Sequence, residues 1–269
     1  MVFFVKGRDT AIDKHNVLQF AKVDFQYGKN SSLVLEGLNF TITDGEFVSI
    51  IGPSGSGKST IFRLITGLDN PTAGNVIING TISNKRLGTI GYMPQQDLLL
   101  PWRTVLENVT LPLEIKGKNR NVPKDQVFTL LYEFGLKGFE HVFPTKLSGG
   151  MKQRVSFLRT ILTGSNILLL DEPFSALDAI TRLSMQEWLL EMWGKLQKTI
   201  LFITHDVDEA LLLSDRILVI TENPIANLKE LIVPLSRPRR IRDLAKPDLV
   251  KIKEQLIEQL RMKVNHEIT

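Results

Sequence analysis

The sequence predicts an α/β fold built on buried parallel strands. Short aliphatic or β-branched segments at residues 167–170 and 199–203 are each followed by polar residues and then by a helical pattern. A third such segment, at 46–51, runs into a glycine-rich stretch and then into another helical pattern. Strands that alternate with helices in this way are typical of a parallel sheet covered by helices.

The first fifty residues predict that the fold begins with a β-rich segment. Residues 17–25 and 38–42 have the composition of short strands, and turn-forming residues separate them. We therefore expect an N-terminal antiparallel β-subdomain. The helix after the glycine-rich stretch is predicted to end near Gly67, because apolar residues recur at helical spacing up to that point. These residues are Ile61, Leu64, Ile65 and Leu68.

The middle and the end of the chain are predicted to be chiefly helical. Residues 98–162 have a helical pattern with breaks, which indicates a helical subdomain at about 97–160 inserted in a domain that spans 16–235. The breaks are at Pro112, Gly117, Pro123 and 135–138. Residues 236–269 are predicted to form a linker and an amphipathic helix. Its apolar face contains Leu249, Ile252, Leu256 and Leu260.

Composition narrows the class of protein. The chain has 269 residues, 43% of them hydrophobic and 23% charged, which is ordinary for a globular protein. With no cysteine, disulfides and thiolate metal sites are excluded, and a reducing compartment fits. Residues 2–5 are too short an apolar run for a secretory signal, and other apolar runs fall far below the roughly 18 residues of a membrane span. We expect any membrane contact to go through a partner.

The net charge of +4 raises the question of an anionic partner. Most basic residues are dispersed along the chain, so we expect no nucleic-acid partner. The densest basic cluster contains Arg237, Arg239, Arg240 and Arg242. Two interpretations stay open for it: a solvated connector, or a contact with lipid or a partner.

The glycine-rich stretch after the third strand has the pattern G-x-x-x-x-G-K-[ST], in the strand, loop and helix context that this pattern requires. Its glycines let backbone N–H groups and the helix N-terminus surround phosphate oxygens. Lys58 is a cation for the β and γ phosphates, Ser59 a ligand for Mg²⁺, and Thr60 lies near the α phosphate. The predicted phosphate-binding residues are Gly52, Pro53, Ser54, Gly55, Ser56, Gly57, Lys58, Ser59 and Thr60.

Two adjacent acids, Asp171 and Glu172, follow the strand at 167–170. The carboxyl ends of parallel strands are where α/β sheets bind ligands. We expect Asp171 to hold Mg²⁺, directly or through water, and Glu172 to polarise the water that attacks ATP. The sequence therefore predicts a P-loop NTPase core of the RecA-like type.

A further motif distinguishes this chain from other P-loop enzymes. Residues 147–154 read LSGGMKQR, in which Ser148 and two glycines open a helix and present a hydroxyl and free N–H groups to an anion. This segment resembles the signature sequence of the ABC ATPase family. The resemblance covers about residues 17–235 and implies the helical ABC signature subdomain at the positions given above.

The other motifs of that family appear in order, and the roles that follow are those that the resemblance implies. Tyr27 stacks on adenine, although an aromatic residue in a strand, like nearby Phe25, is usually in the core. Gln95 is the Q-loop glutamine and a further metal ligand, and His205 is the switch histidine that senses the γ phosphate. A second subunit contributes its signature and D-loop residues to the nucleotide. These residues are Ser148, Gly149, Gly150, Gln153 and Asp178.

The resemblance also implies partners. Two subunits, expected to be a homodimer, enclose two ATP molecules, and closure of the dimer moves separate transmembrane permease subunits. The chain is then a peripheral protein on the cytoplasmic face of the membrane. It depends indirectly on an extracytoplasmic substrate-binding protein.

Residues 95–109 resemble the segment that follows the Q-loop glutamine in importers of nitrate, sulfonates, taurine and pyrimidine precursors. Trp102 beside three leucines suits a groove that receives a permease helix, or else ordinary packing inside the helical subdomain. Pro94 departs from the group, which usually has an aromatic or apolar residue there. The solute is therefore expected only to lie within this range.

Three other functions fit the sequence less well. Soluble ABC ATPases of DNA repair or translation carry long coiled-coil arms or two fused units, whereas Leu147 lies only 147 − 95 = 52 positions after Gln95. A P-loop kinase or other phosphotransferase would not explain the signature helix. A regulatory ATP-binding module without hydrolysis is disfavoured because both Glu172 and His205 are present.

Overall fold

The computed structural model describes residues 15–28, 31–117 and 124–266. The predictions made for residues 2–5 and for Pro123 lie outside these described residues. The strands are β1 (Asn16–Phe25), β2 (Leu35–Thr43), β3 (Phe47–Ile51), β4 (Ala73–Ile78), β5 (Thr81–Ile82), β6 (Gly91–Met93), β7 (Ile167–Asp171), β8 (Thr199–Ile203), β9 (Arg216–Ile220) and β10 (Leu228–Ile232). The helices are α1 (Lys58–Thr66), α2 (Val105–Ile115), α3 (Lys124–Glu133), α4 (Gly149–Ile161), α5 (Ala179–Leu196), α6 (Val207–Leu213) and α7 (Pro247–His266), with 3-10 turns at Pro144–Lys146 and Ile241–Ala245.

The N-terminal strands form an antiparallel sheet in the order β2-β1-β4-β5 within the described part of the chain. Side chains of β1 and β2 alternate between buried and exposed over much of their length, as in a sheet with one face on the core. Strand β4 was not predicted, because its first three residues are exposed and give no apolar run. The sheet confirms the predicted antiparallel β-subdomain.

The central sheet has the order β10-β9-β3-β8-β7-β6 among the described residues. All neighbouring pairs are parallel except β10 with β9. Every residue of β3, β7 and β8 is buried, which explains their continuous aliphatic sequences. The α/β fold class with buried parallel strands is confirmed.

The helical segment between β6 and β7 contains α2, α3 and α4. Helix α2 begins at a capping box, in which Thr104 and Glu107 each bond the other's backbone N–H group. Asn108 is fully buried and bonds the backbone N–H and C=O of Leu100. Helix α4 packs beside α2. It also bonds the loop that precedes α2, since Arg159 donates to the carbonyl of Leu98 at 2.7 Å. The loop after β6 is thus fixed by two helices.

The C-terminal segment folds back onto α6. Leu249 and Leu256 of α7 are buried in a small apolar cluster with α6 and β9. Lys253 pairs with Asp208 of α6 at 2.6 Å. Within the described residues no helix is both long enough and apolar enough to cross a membrane.

Two arginines of the basic cluster are part of the fold, which corrects both interpretations offered for them. Arg237 pairs with Asp215 at 2.8 Å and lies 3.9 Å from the ring centre of Trp193. Arg239 is 7% exposed and donates to the backbone carbonyls of Leu211 in α6 and of Leu235, which follows β10. Burial lowers the pKa of Arg239 to about 10, so it stays charged at neutral pH. These arginines anchor the tail because buried guanidinium groups need several acceptors.

Candidate active site

Four parallel strands bring the predicted polar residues to one edge of the central sheet. Ile50 of β3, Ile203 of β8 and Asp171 of β7 lie in register, and Met93 of β6 pairs with Leu170. The chain therefore leaves all four strands at the same carboxyl edge, where α/β folds bind ligands. The predicted residues that follow these strand ends are Gly52, Gln95, Glu172 and His205.

The glycine-rich loop joins β3 to α1, as predicted. Gly57 caps α1 at φ +94°, in the left-handed region that favours glycine. A Cβ atom there would lie 3.0 Å from side-chain atoms of Val34 and Ile225, so the loop has no room for a larger residue. Lys58 is buried, and its Nζ donates to the carbonyls of Gly52 and Pro53 at 2.8 and 2.7 Å. The ammonium group thus lies inside the curve of the loop.

Polar groups inside this loop fit an oxyanion such as a phosphate. The Ser56 hydroxyl is buried and has no hydrogen-bond partner among the described residues. The helix N-terminus after Gly57 and the Lys58 ammonium add positive charge beside it. Hydroxyl, backbone N–H and ammonium donors together form the donor set that phosphate oxygens require.

Asp171 is the last residue of β7 and is buried at the same edge. The Tyr92 hydroxyl of β6 donates to its Oδ2 at 3.2 Å. Burial raises the pKa of the Asp171 carboxyl, while the hydrogen bonds from Tyr92 and Ser59 and the charge of Lys58 oppose that rise. The acid and the P-loop residues are therefore close enough to interact electrostatically.

Glu172 is the point on which the other predicted residues converge. Its Oε2 lies 3.1 Å from His205 Nδ1 and accepts from Gln95 Nε2 at 3.3 Å. Gln95 also donates to Ser175 Oγ at 3.5 Å. Glu172 has φ +43°, a left-handed conformation that costs a non-glycine residue about 1 kcal/mol or more. The backbone holds this conformation because Glu172 N donates to the carbonyl of Ile203 at 2.9 Å.

Tyr27 lies on the surface beside the P-loop helix. Its side chain is 61% exposed, whereas neighbouring Phe25 is buried and touches the Tyr27 ring edge-on at 4.9 Å. The Tyr27 hydroxyl lies 2.8 Å from Thr60 Oγ1. The structure therefore places Phe25, and not Tyr27, in the core, and leaves one face of an aromatic ring open near the end of the P-loop.

The signature and D-loop residues lie at the starts of two neighbouring helices. Ser148 caps α4 by accepting from Met151 N, and Asp178 caps α5 by accepting from Thr181 N at 3.0 Å. A Cβ atom on Gly150 would lie 3.1 Å from Thr181 Cγ2, so the helix starts pack closely. The side-chain hydrogen bonds of Ser148 and Asp178 remain within their own helices. These residues are not joined to Glu172 by the contacts that gather Gln95 and His205.

Gln153 lies apart from the other signature residues. Its side chain is 5% exposed and lies beside Met93, Phe157 and Trp188, which line the same small pocket. Its Oε1 atom has no partner among the described residues. The predicted contact of Gln153 with nucleotide stays a prediction, and the burial favours a role for this side chain inside the domain.

An exposed apolar surface lies beyond Gln95. Trp102 is 72% exposed and Leu98 57% exposed, whereas Leu99 between them is buried. Leu98 has φ +44°, and Arg159 holds its carbonyl and that of Asp97. The backbone thus presents Leu98 and Trp102 outward, although burial would stabilise such apolar side chains.

Sequence reasoning missed two groups near this site. Tyr92, which bonds Asp171, lies between two buried residues of a short strand and has the pattern of a core aromatic. Glu209 of α6 is buried and accepts from the Thr204 hydroxyl at 2.6 Å, next to His205. Glu209 and its neighbour Asp208 form an acidic pair in the first turn of α6, which is a common helix-start pattern and gave no signal that Glu209 is buried.

Comparison with protein families gives a match to the ABC transporter model over residues 35–175. The formylaminopyrimidine import ATP-binding protein ThiZ of Halalkalibacterium halodurans is 49% identical over 225 residues, which cover 84% of this chain and 88% of that protein. The aliphatic sulfonates import ATP-binding protein SsuB 1 of Rhodococcus jostii is 43% identical over 246 residues, or 91% of this chain and 94% of that protein.

Among solved structures, an ATP-binding cassette in a dimeric post-hydrolysis state bound to ADP and phosphate is similar to this chain. It has 32% sequence identity and a TM-score of 0.68, and the match covers 81% of this chain and all of that one. The match confirms the P-loop core with its β-subdomain and signature helices.

Proposed function

The chain belongs to the ABC transporter family, and on that premise we propose that it is the ATP-hydrolysing subunit of an importer. The observation that carries the proposal is the convergence of Gln95 and His205 on Glu172, one residue after the buried Asp171. A carboxylate so held beside a P-loop suits the activation of a water molecule for attack on a phosphate. The reaction is the hydrolysis of ATP to ADP and phosphate.

Each group at the sheet edge has a task in this reaction. Residues 52–60 bind the phosphates through backbone N–H groups, and Lys58 neutralises their charge. Ser59 and Asp171, with Gln95, would hold Mg²⁺, which when bound draws charge from the phosphate oxygens. Glu172 orients the attacking water and receives its proton, while His205 fixes the Glu172 carboxylate.

We assign the second wall of the site to another copy of the chain. Ser148 and the following N–H groups of α4 form a helix N-terminus with no acidic residue in its first turn, which favours an anion. The solved cassette similar to this chain is dimeric, which supports the pairing. In such a dimer these donors face the γ phosphate bound by the partner subunit, and Asp178, whose carboxylate caps α5, lies beside them on the same wall of the site.

We assign the exposed surface at Leu98 and Trp102 to contact with transmembrane permease subunits, on the cytoplasmic face of the membrane. An aromatic anchor beside aliphatic residues is typical of the centre of a protein interface. The names of the two relatives favour a sulfonate or a pyrimidine precursor as the solute. An extracytoplasmic binding protein would deliver the solute to the permease.

Glu172→Gln tests the proposed reaction directly. Loss of the proton acceptor should lower steady-state phosphate release from ATP and Mg²⁺ about 1,000-fold, because general-base catalysis contributes factors of this order. Binding of ATP should persist. The matched control is Glu191→Gln, an exposed glutamate paired with Lys195 on the outer face of α5, which should retain wild-type turnover. Wild-type phosphate release by the Glu172 variant would contradict the role of Glu172 as the proton acceptor.

A further inference from the structure

The buried glutamate Glu209 has no role in the proposed reaction, although it lies four residues after His205. Glu209, in the first turn of α6, is 5% exposed. Its Oε2 accepts from Thr204 Oγ1 at 2.6 Å, and its Oε1 accepts from Gln186 Nε2 at 3.1 Å. Burial raises the pKa of its carboxyl. Burying a carboxyl group costs stability unless it is fully hydrogen-bonded. The partners of Glu209 therefore show what its burial is for.

Hydrogen bonds connect Glu209 to the residues on both sides of His205. Asp206 N donates to Thr204 Oγ1 at 3.0 Å, a bond that spans His205. Asp206 Oδ1 in turn accepts from Asp208 N at 2.8 Å and from Glu209 N at 3.2 Å. The residues on either side of His205 are therefore tied to Glu209, one through its side chain and the other through its backbone.

The second oxygen of Glu209 reaches a different element. Gln186 lies on α5, the helix that Asp178 caps. The first turns of α5 pack against the start of α4, where Thr181 lies 3.1 Å from the Cβ position of Gly150. Glu209 thus joins the turn that carries His205 to the helix that begins at the D-loop.

We propose that Glu209 is a positioning residue that fixes His205 toward Glu172, using Thr204 on one side and Gln186 of α5 on the other. The proposal rests on the role given to His205 under the proposed function. His205 is 60% exposed in its side chain, so its ring has few packing contacts to orient it. Fixing the backbone on both sides is then the means by which the fold sets the distance between His205 and Glu172.

The matched test uses the two ends of β8. Thr204→Val removes the hydroxyl that links Glu209 to Asp206 and changes the shape of the side chain little. Thr199→Val makes the same change at the start of β8, where the buried Thr199 hydroxyl accepts from Gly45 N at 2.9 Å. We expect Thr204→Val to lower kcat for ATP about tenfold, since both hydrogen bonds of the hydroxyl are lost, with KM changed less than about twofold. Thr199→Val should lower the Tm similarly and leave kcat unchanged.

A second pair of variants separates positioning from packing. In Glu209→Gln the amide oxygen can still accept from Thr204, and the amide nitrogen can donate to Gln186 once the Gln186 amide turns over. This variant should retain at least about half of the wild-type kcat. Glu209→Leu keeps a similar side-chain volume but makes neither hydrogen bond. It should lower kcat as much as Thr204→Val does.

The outcomes are distinct. Equal loss of kcat in Thr204→Val and Thr199→Val, or an equal defect in Glu209→Gln and Glu209→Leu, would overturn the proposal. His205→Ala, measured in parallel, must itself lower kcat. If it does and Thr204→Val does not, only this inference fails; if His205→Ala turns over like the wild type, the role of His205 fails and the inference with it.

Discussion

The sheet edge and the helical segment differ in how far their polar groups are satisfied within one chain. At the edge, Glu172 is bonded by Gln95 and His205, and Asp171 by Tyr92. On the helical side, the Ser148 side chain bonds only within its own helix among the described residues, and large apolar side chains remain exposed. Trp102, Ile115 and Tyr132 are 72%, 77% and 62% exposed.

This difference indicates that the two regions contact different partners. The sheet edge is assembled by the register of four strands and needs only a nucleotide and a metal ion. The helical segment has a helix N-terminus at Ser148 and an exposed apolar surface, both of which the proposed function assigns to contacts with other chains. Substitutions in the first region should therefore change nucleotide binding and hydrolysis, and those in the second should change assembly.

The largest effect on nucleotide binding is expected at Lys58. Lys58→Ala removes a charged donor to the phosphates, so the Kd for ATP should rise about 100-fold, as loss of a charge-assisted hydrogen bond predicts. Fluorescence titration with a labelled ATP analogue measures it. Lys85→Ala, at an exposed lysine, is the control and should bind like the wild type. Unchanged affinity in the Lys58 variant would show that the loop does not bind phosphate.

A substitution on the helical side should leave ATP affinity unchanged. Trp102→Asp places a charge in the proposed permease contact, so transmembrane protein that co-purifies from detergent extracts should fall at least about tenfold, as for loss of an interface anchor. Ile232→Asp alters an equally exposed residue on β10 and serves as the control. Wild-type recovery of membrane subunits with Trp102→Asp would contradict the assignment of this surface.

The smallest effect is expected at Tyr27. Loss of a stacked ring in Tyr27→Ala should weaken ATP binding about fivefold, near the lower limit for base stacking, while Tyr27→Phe should keep it. Inorganic tripolyphosphate, which has no base, should bind both variants like the wild type. An equal loss for ATP and tripolyphosphate in Tyr27→Ala would place Tyr27 on the phosphates instead of the base.

The sequence predicted those parts of the site that depend on contiguous residues. The glycine-rich loop, the paired acids and the capped signature helix each combine a local pattern with a local structure, so the sequence alone was enough to propose residues 52–60, Asp171 and Ser148. The bonds of Glu172 could not be predicted, because they depend on β7 lying between β6 and β8. Strand order is set by packing across the whole domain and leaves no local signal.

The anchoring of the tail was missed for a similar reason. Arg237 and Arg239 look like surface residues in a proline-rich segment, yet they bond Asp215 and carbonyls about 25 residues earlier in the chain. Burial of an arginine is recognisable only when its acceptors are known, and these come from the loop before β9. Glu209 was missed in the same way, since an acid in the first turn of a helix looks like a surface residue until its buried partners Thr204 and Gln186 are known.

We expect the two regions to complete each other across a dimer of this chain. Glu172→Gln bound to ATP and Mg²⁺ should have twice the mass of one chain by light scattering, because bound nucleotide is retained between subunits. Adding Ser148→Asp should leave a monomer, since Asp still caps α4 but repels phosphate. Adding Thr129→Asp, on the exposed face of α3, should leave the dimer intact. A monomer for Glu172→Gln, or a dimer that survives Ser148→Asp, would contradict the account.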